Sequence, residues 1–217
     1  MDRKEQAAKI TERLKEEYPG ALCSLEYQEP YQLLIATRLS AQCTDARVNI
    51  VTEVLFSRFP TLESLAEAEV SEIEEIIKSC GFYKMKARDV KGMCEMLVYK
   101  YHGRVPNSIE ELVKLPGVGR KTANLVVGDV YHQPAVVCDT HCIRITNLMG
   151  LTDSKDPLKV EKQLRELLEP AESNDFCHRM VLHGRAVCKA RRPYCAICAV
   201  QELCDYGCEK GEKAQEK

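Results

Sequence analysis

The sequence predicts an all-α fold, and three observations predict it. Apolar residues recur at helical spacing, as in Ala7, Ile10 and Leu14, or Val48, Val51 and Leu55. No stretch alternates apolar and polar residues in the manner of a half-buried strand. Start and stop signals bracket the periodic segments: Pro19-Gly20, Thr44-Asp45, Ser71 with Glu74, Ser108 with Glu111, and Asp156-Pro157. With 217 residues, 45% of them hydrophobic, the chain can bury a core in one or two domains.

Taken in order, the first helix is expected from Asp2 to Tyr18, ended by Pro19-Gly20. Pro30 opens a second through Tyr31, Leu34, Ile35 and Arg38. Leu39 to Asp45 interrupts it, and Thr44 or Asp45 caps the third. Gln42 lies in that interruption and, on its own chemistry, reads as a loop residue. Thr61 to Ala68 and Ser71 to Ser79 read as short helices, the second opened by a capping box of Ser71 and Glu74. Gly81 suits a helix end, after which Phe82 packs back on the helix. The competing reading of Phe82 is an apolar wedge between bases. Lys84, Arg88 and Lys91 share one face of a helix from Lys84 to Tyr101, with Val90, Met93 and Leu97 turned the other way. Such a basic face is either solvated or a grip on a nucleic-acid backbone.

The stretch from Leu115 to Asp139 organises the rest. Ser108 to Glu111 starts a helix that Pro116 stops, and Gly117-Val118-Gly119 turns the chain into a second helix beginning at Arg120 and Lys121. Gly117 and Gly119 tolerate positive φ, so the turn can be tight. Free N–H groups at the new helix start suit a phosphate oxygen and hold it without reading sequence. Lys121 stands against the helix dipole, a place that stability alone does not recommend. Two readings compete: a lysine that pairs with phosphate, or an amine whose pKa is drawn down by the dipole, by Arg120 and by burial until it becomes a nucleophile. A Walker loop is excluded, because Arg120 interrupts its glycine-lysine step and Leu115 stands where its first glycine belongs. Asp139, in Val137-Cys138-Asp139-Thr140-His141, suits the N-cap of a helix from Thr140 to Met149. A carboxylate there could also relay protons and stabilise a developing cation. Beyond it, helices are expected from Asp156-Pro157 to Leu168 and from Ser173 or Asn174 to Ala186.

Cys188, Cys195, Cys198 and Cys204 form a C-x6-C-x2-C-x5-C array able to wrap one metal centre. Zinc and an iron-sulfur cluster both remain open on spacing, though four-cysteine zinc sites more often come as two CxxC pairs. Between the first two ligands lie Lys189, Arg191 and Arg192, pinned cations suited to a phosphate backbone. Cys43, Cys80, Cys94, Cys142 and Cys177 fall inside helical patterns and read as buried thiols. A formal net charge of -2 and a pI near 6.3 exclude a general basic shell, so any DNA affinity has to come from a local patch. No apolar stretch is long enough to span a membrane and MDRKEQAAKI has no signal-peptide core, so a soluble, intracellular protein is expected.

LPGVGRKTAN followed by VCDTH resembles the helix-hairpin-helix DNA glycosylases, and in particular the endonuclease III family. The resemblance spans nearly the whole chain. It implies two all-α domains with a DNA-binding cleft between them: 23–132, holding the helix-hairpin-helix at about 108–131, and 1–22 joined to 133–208, with 209–217 a disordered tail. It implies that Lys121 attacks the anomeric carbon of a damaged nucleotide while Asp139 assists, and that Gln42 and an apolar residue at Phe82 fill the space left in the duplex. It implies a 4Fe-4S cluster on Cys188, Cys195, Cys198 and Cys204. Gly117, Val118, Gly119, Arg120, Lys84, Arg88, Lys91, Lys189, Arg191 and Arg192 are the expected DNA contacts. The expected partner is damaged double-stranded DNA carrying an oxidised pyrimidine, met by a monomer in a prokaryotic cytoplasm. A monofunctional glycosylase of the same fold, and a non-catalytic iron-sulfur DNA-binding or redox-sensing module, are the alternatives. Cys43, Cys138 and Cys142 depart from the family pattern, and Cys208 lies outside the ligand array.

Overall fold

The computed structural model describes residues 1–209, and the regular structure among them is helical throughout. The tail expected at 209–217 lies outside the described residues from 210 onward, while Glu209 itself is helical, with the described residues 205–208 before it. No described helix is long and apolar enough to cross a membrane. The chain divides into two compact units, Cys23–Tyr131 and Met1–Leu22 with the chain from His132 onward.

The first helix, α1 (Arg3–Glu17), is capped by the Asp2 carboxylate, which accepts from the Glu5 N–H. Its Ala7, Ile10 and Leu14 are fully buried. Burying side chains of the size of Ile10 and Leu14 is worth roughly 1.5–3 kcal/mol each. These contacts fall on α10 (Pro157–Leu167) and α11 (Ser173–Ala186), which explains why an N-terminal helix belongs to the C-terminal unit. Polar bonds reinforce the join. Gln6 donates to the carbonyls of Met149 (2.9 Å) and Leu203 (2.6 Å), and Arg3 meets Asp205 at 2.8 Å. In the same unit α9 (Thr140–Leu148) packs on α11.

The unit Cys23–Tyr131 carries α2 (Pro30–Ser40), α3 (Asp45–Arg58), α4 (Leu62–Glu67), α5 (Val70–Ile77), α6 (Tyr83–Tyr99), α7 (Ile109–Leu112) and α8 (Arg120–Asp129). Thr44 caps α3, Thr61 and Ser64 form a reciprocal box on α4, and Pro30 occupies the first turn of α2. α5 corrects one expectation. Its capping box is Glu69 with Glu72, two residues before the expected Ser71 and Glu74. A carboxylate can serve in the same reciprocal arrangement, and the earlier start puts Val70 on the face of the buried Ile73 and Ile77. α7 ends three residues before Leu115, and turns carry the chain to Pro116. α6 packs against α2, α4 and α5, and α8 packs against α2 and α7.

Candidate nucleic-acid interface and metal centre

The hairpin between α7 and α8 is built around Gly117, at φ +72°. A β-carbon there would stand 2.7 Å from the Arg38 side chain and 3.0 Å from Asp89 Cβ, so only glycine fits both the conformation and the space. Arg38 and Asp89 form an ion pair at 2.7 Å that joins α2 to α6 beneath the turn. Val118 is buried, its N–H donating to the Leu115 carbonyl at 3.1 Å, which leaves Gly117, Gly119, Arg120 and Lys121 as the exposed rim. Gly119 is the N-cap of α8 and brings no side chain to close it. The start of α8 therefore offers dipole and backbone to an anion. Lys121 is exposed on the first turn rather than enclosed. Burial, one of the influences named from sequence, is not supplied to Lys121 by its own helix.

In the same unit, Gln42 lies within the turn between α2 and α3, and Phe82 ends the turn that leads into α6. Both take left-handed backbone, at φ 56° and φ 47°, conformations uncommon for non-glycine residues. Phe82 is 64% exposed and occupies the N-cap of α6, which corrects the expectation that it packs back on the preceding helix. The physical reason is Gly81, whose φ +66°, ψ 152° throws the next residue outward instead of wrapping it over the helix end. Lys84 and Arg88 lie exposed on α6. Lys91 differs: its ammonium donates to the Ala66 carbonyl at the end of α4 (2.7 Å) and meets Glu95 at 3.2 Å, so it ties α4 to α6.

Asp139, in the other unit, is the N-cap of α9. Its Oδ1 accepts from the Cys142 N–H at 2.7 Å and its Oδ2 lies 3.2 Å from His141 Nδ1. The His141 ring rests against Gly184, where a β-carbon would stand 2.4 Å from it. Reasoning from sequence missed His141 as the group that orients this carboxylate; its place two residues along VCDTH was the available signal. Behind the cap, the free thiols of Cys138 and Cys177 hydrogen-bond with that of Cys142, and with burial they push the Cys142 thiol well above the ordinary range. All three are buried, and Cys142 is a protonated packing thiol.

Cys188, Cys195, Cys198 and Cys204 line one pocket with Ile145, Leu148, Met149, His183 and Val200, and Cys208 is not among the lining residues. All four are free thiols. Among the described residues no three or more metal-binding side chains converge on a single point. The four cysteines line a shared pocket instead. Burial raises the thiols of Cys188 and Cys198 and pushes that of Cys204 up to about 11, so thiolates there need a cationic centre to be stable. Donors stand close: Arg144 reaches Cys188 Sγ at 3.6 Å and its carbonyl at 2.8 Å, and His183 Nε2 lies 3.6 Å from Cys198 Sγ. Burial holds the His183 imidazole down at about 4, so it is neutral near pH 7. Lys189, Arg191 and Arg192 are exposed on the loop between the first two cysteines, Lys189 lying 5.3 Å over the Tyr194 ring. The donor set fits a thiolate-bound cluster.

Residues 35–170 match the family described as HhH-GPD superfamily base excision DNA repair protein. The chain is 47% identical over 203 residues to the endonuclease III of Synechocystis sp., with 93% of each chain covered. It superposes with a TM-score of 0.90 on a trapped endonuclease III–DNA covalent intermediate, at 41% identity, covering 97% of this chain and 100% of that one. A non-covalent endonuclease III–DNA complex gives the same TM-score of 0.90 at 41% identity, covering 98% of this chain and 100% of that one.

Proposed function

Because the chain belongs to the endonuclease III family of the HhH-GPD base excision DNA repair superfamily, we propose that it is a bifunctional DNA glycosylase and lyase centred on Lys121. The carrying observation is the placement of that amine: exposed, on the first turn of a helix whose start has no side-chain cap, beside a glycine turn fit for phosphate. The substrate is double-stranded DNA carrying an oxidised pyrimidine, a choice supported by the family resemblance. The working form is a monomer, and its place is a bacterial cytoplasm, the second reading supported by the bacterial relatives.

In the proposed reaction the damaged nucleotide leaves the stack, and Gln42 and Phe82 occupy the space it vacates. Lys121 Nζ attacks C1′, the glycosidic C–N bond breaks, and the base departs with the electron pair. Asp139, held by the Cys142 N–H and His141, stabilises the cationic sugar and accepts a proton from the lysine. The sugar ring then opens: the C1′–O4′ bond breaks, O4′ takes up a proton, and the resulting C1′=N imine acidifies the C2′ proton. Its loss sends an electron pair toward C3′ and expels the 3′ phosphate, and water hydrolyses the imine to return the lysine. The backbone N–H groups of the hairpin hold the strand without regard to sequence.

Cys188, Cys195, Cys198 and Cys204 would hold a 4Fe-4S cluster, whose role is to cross-link the loop bearing Lys189, Arg191 and Arg192 so that these cations meet DNA at low entropic cost. Replacing Cys198 with alanine is expected to lower iron content and visible absorbance and to weaken duplex binding, most at moderate salt. Full iron content in that variant would count against its assignment as a ligand. The function itself is tested by borohydride reduction of the cluster-loaded protein on a duplex with one thymine glycol. A stable protein–DNA adduct is expected; a protein that binds the duplex and yields none is not a lyase for this lesion.

A further inference from the structure

Lys86 is the one lysine on the apolar face of α6 among the described residues, and it is 1% exposed. A buried ammonium persists only where its donors are met. Here all three are: Nζ donates to the carbonyls of Leu39 (2.8 Å), Ala41 (2.8 Å) and Cys80 (2.6 Å). Leu39 and Ala41 sit at the C-terminal end of α2, where helix carbonyls lack partners and the dipole favours a cation. Cys80 closes the 3-10 turn that follows α5. One side chain thus draws together two separate turns.

Each turn leads straight into an exposed left-handed residue. Gln42 follows Ala41 directly, and Phe82 follows Cys80 after a single glycine. Non-glycine residues hold that conformation only where their surroundings over-determine it. No hydrophobic contact can do so for side chains that point to solvent, so the restraint has to come through the backbone. The Cys80 thiol also hydrogen-bonds with the free thiol of Cys43, adding a second, weaker link between the same turns.

We infer that Lys86 is the positioning residue that holds Gln42 and Phe82 as a single wedge for opening the duplex. An ammonium is suited to this because its three N–H bonds diverge, whereas a planar guanidinium cannot aim at three carbonyls set around one point. The inference rests on the wedge roles proposed above, and its test separates the two.

The test uses full-length, cluster-loaded protein and a preformed abasic site placed either in a duplex or in the same strand alone. Lyase chemistry needs Lys121 in both, but only the duplex has to be opened. In Lys86→Met, duplex incision is expected to fall on the order of 10- to 100-fold, the scale on which misplacement of about an ångström acts. Single-strand incision should be unchanged, which also reports that the variant is folded. Should Lys86→Met fail to fold, Lys86→Gln, which keeps an amide donor, carries the same expectation. An equal loss on both substrates, no loss on either, or a need for Lys86 in folding alone would overturn the inference. Gln42→Ala supplies the control. If it shows the duplex-specific loss and the Lys86 variants do not, the wedge reading stands and the inference about Lys86 is wrong. If Gln42→Ala and Phe82→Ala both leave duplex incision intact, the wedge reading fails and takes the inference with it.

Discussion

Lys121→Ala is expected to abolish the borohydride-trapped adduct and to lower strand incision by roughly 10³-fold or more, the scale on which loss of a covalent nucleophile acts. The same substitution separates the two roles a lysine can have at the start of α8. A phosphate-pairing lysine contributes through counterion release, so removing it would weaken binding across all sequences and reduce the salt slope by about one, with the chemistry of bound DNA intact. A nucleophile gives the opposite pattern. Lys121→Arg sharpens the comparison, because the guanidinium keeps the charge but stays protonated at any working pH. We expect Lys121→Arg to bind duplex nearly as the parent does and to trap no adduct. An arginine variant that still incises at the parental rate would remove Lys121 from the chemistry. Since Lys121 is exposed and meets no partner that packing requires, neither change should disturb the fold.

Asp139 carries the second large effect, and its two duties can be taken apart. The carboxylate caps α9 through Oδ1 and faces His141 through Oδ2. Asparagine retains an oxygen for the Cys142 N–H and ranks with aspartate as a cap. Asp139→Asn is therefore expected to keep thermal stability close to the parent while losing about 10²- to 10⁴-fold in base release and imine formation, the usual range for a positioned acid or base. Asp139→Ala loses the cap as well, at about 0.5–2 kcal/mol of stability. The pair of variants decides the matter. If Asp139→Asn incises normally and only Asp139→Ala is impaired, in step with its melting temperature, the residue is a cap and nothing more.

Much of the secondary structure was legible because its signals are local. Thr44 and Asp156 cap where the sequence places them, since a cap needs only its own side chain and an N–H three residues on. α5 shows the limit of such signals. Glu69-Glu72 and Ser71-Glu74 are both plausible boxes, and burial of Ile73 and Ile77 chose between them. Phe82 shows it again: helix-end motifs predict an inward contact, but Gly81 took a different conformation and Phe82 faces water. Lys91 looked like one of three equivalent cations on a helix face until the end of α4 claimed it. Lys86 stood four residues before Val90 on the apolar stripe of α6, a visible anomaly whose three acceptors lie up to 47 residues away.

By itself the sequence determined the all-α class, the hairpin with its lysine, the aspartate at a helix start and the array of four cysteines, because each is written in residues that are neighbours along the chain. Only the tertiary structure decided which residues the buried Lys86 ties together, that Gln42 and Phe82 face outward from left-handed turns, that Arg38 and Asp89 leave room for nothing larger than Gly117, and that α1 packs with the cysteine loop. The physical reason is the same in each case. Caps, turns and helix periods are set by short-range sterics and hydrogen bonds, whereas burial and the pairing of polar groups at a distance depend on which surfaces the folded chain brings into contact.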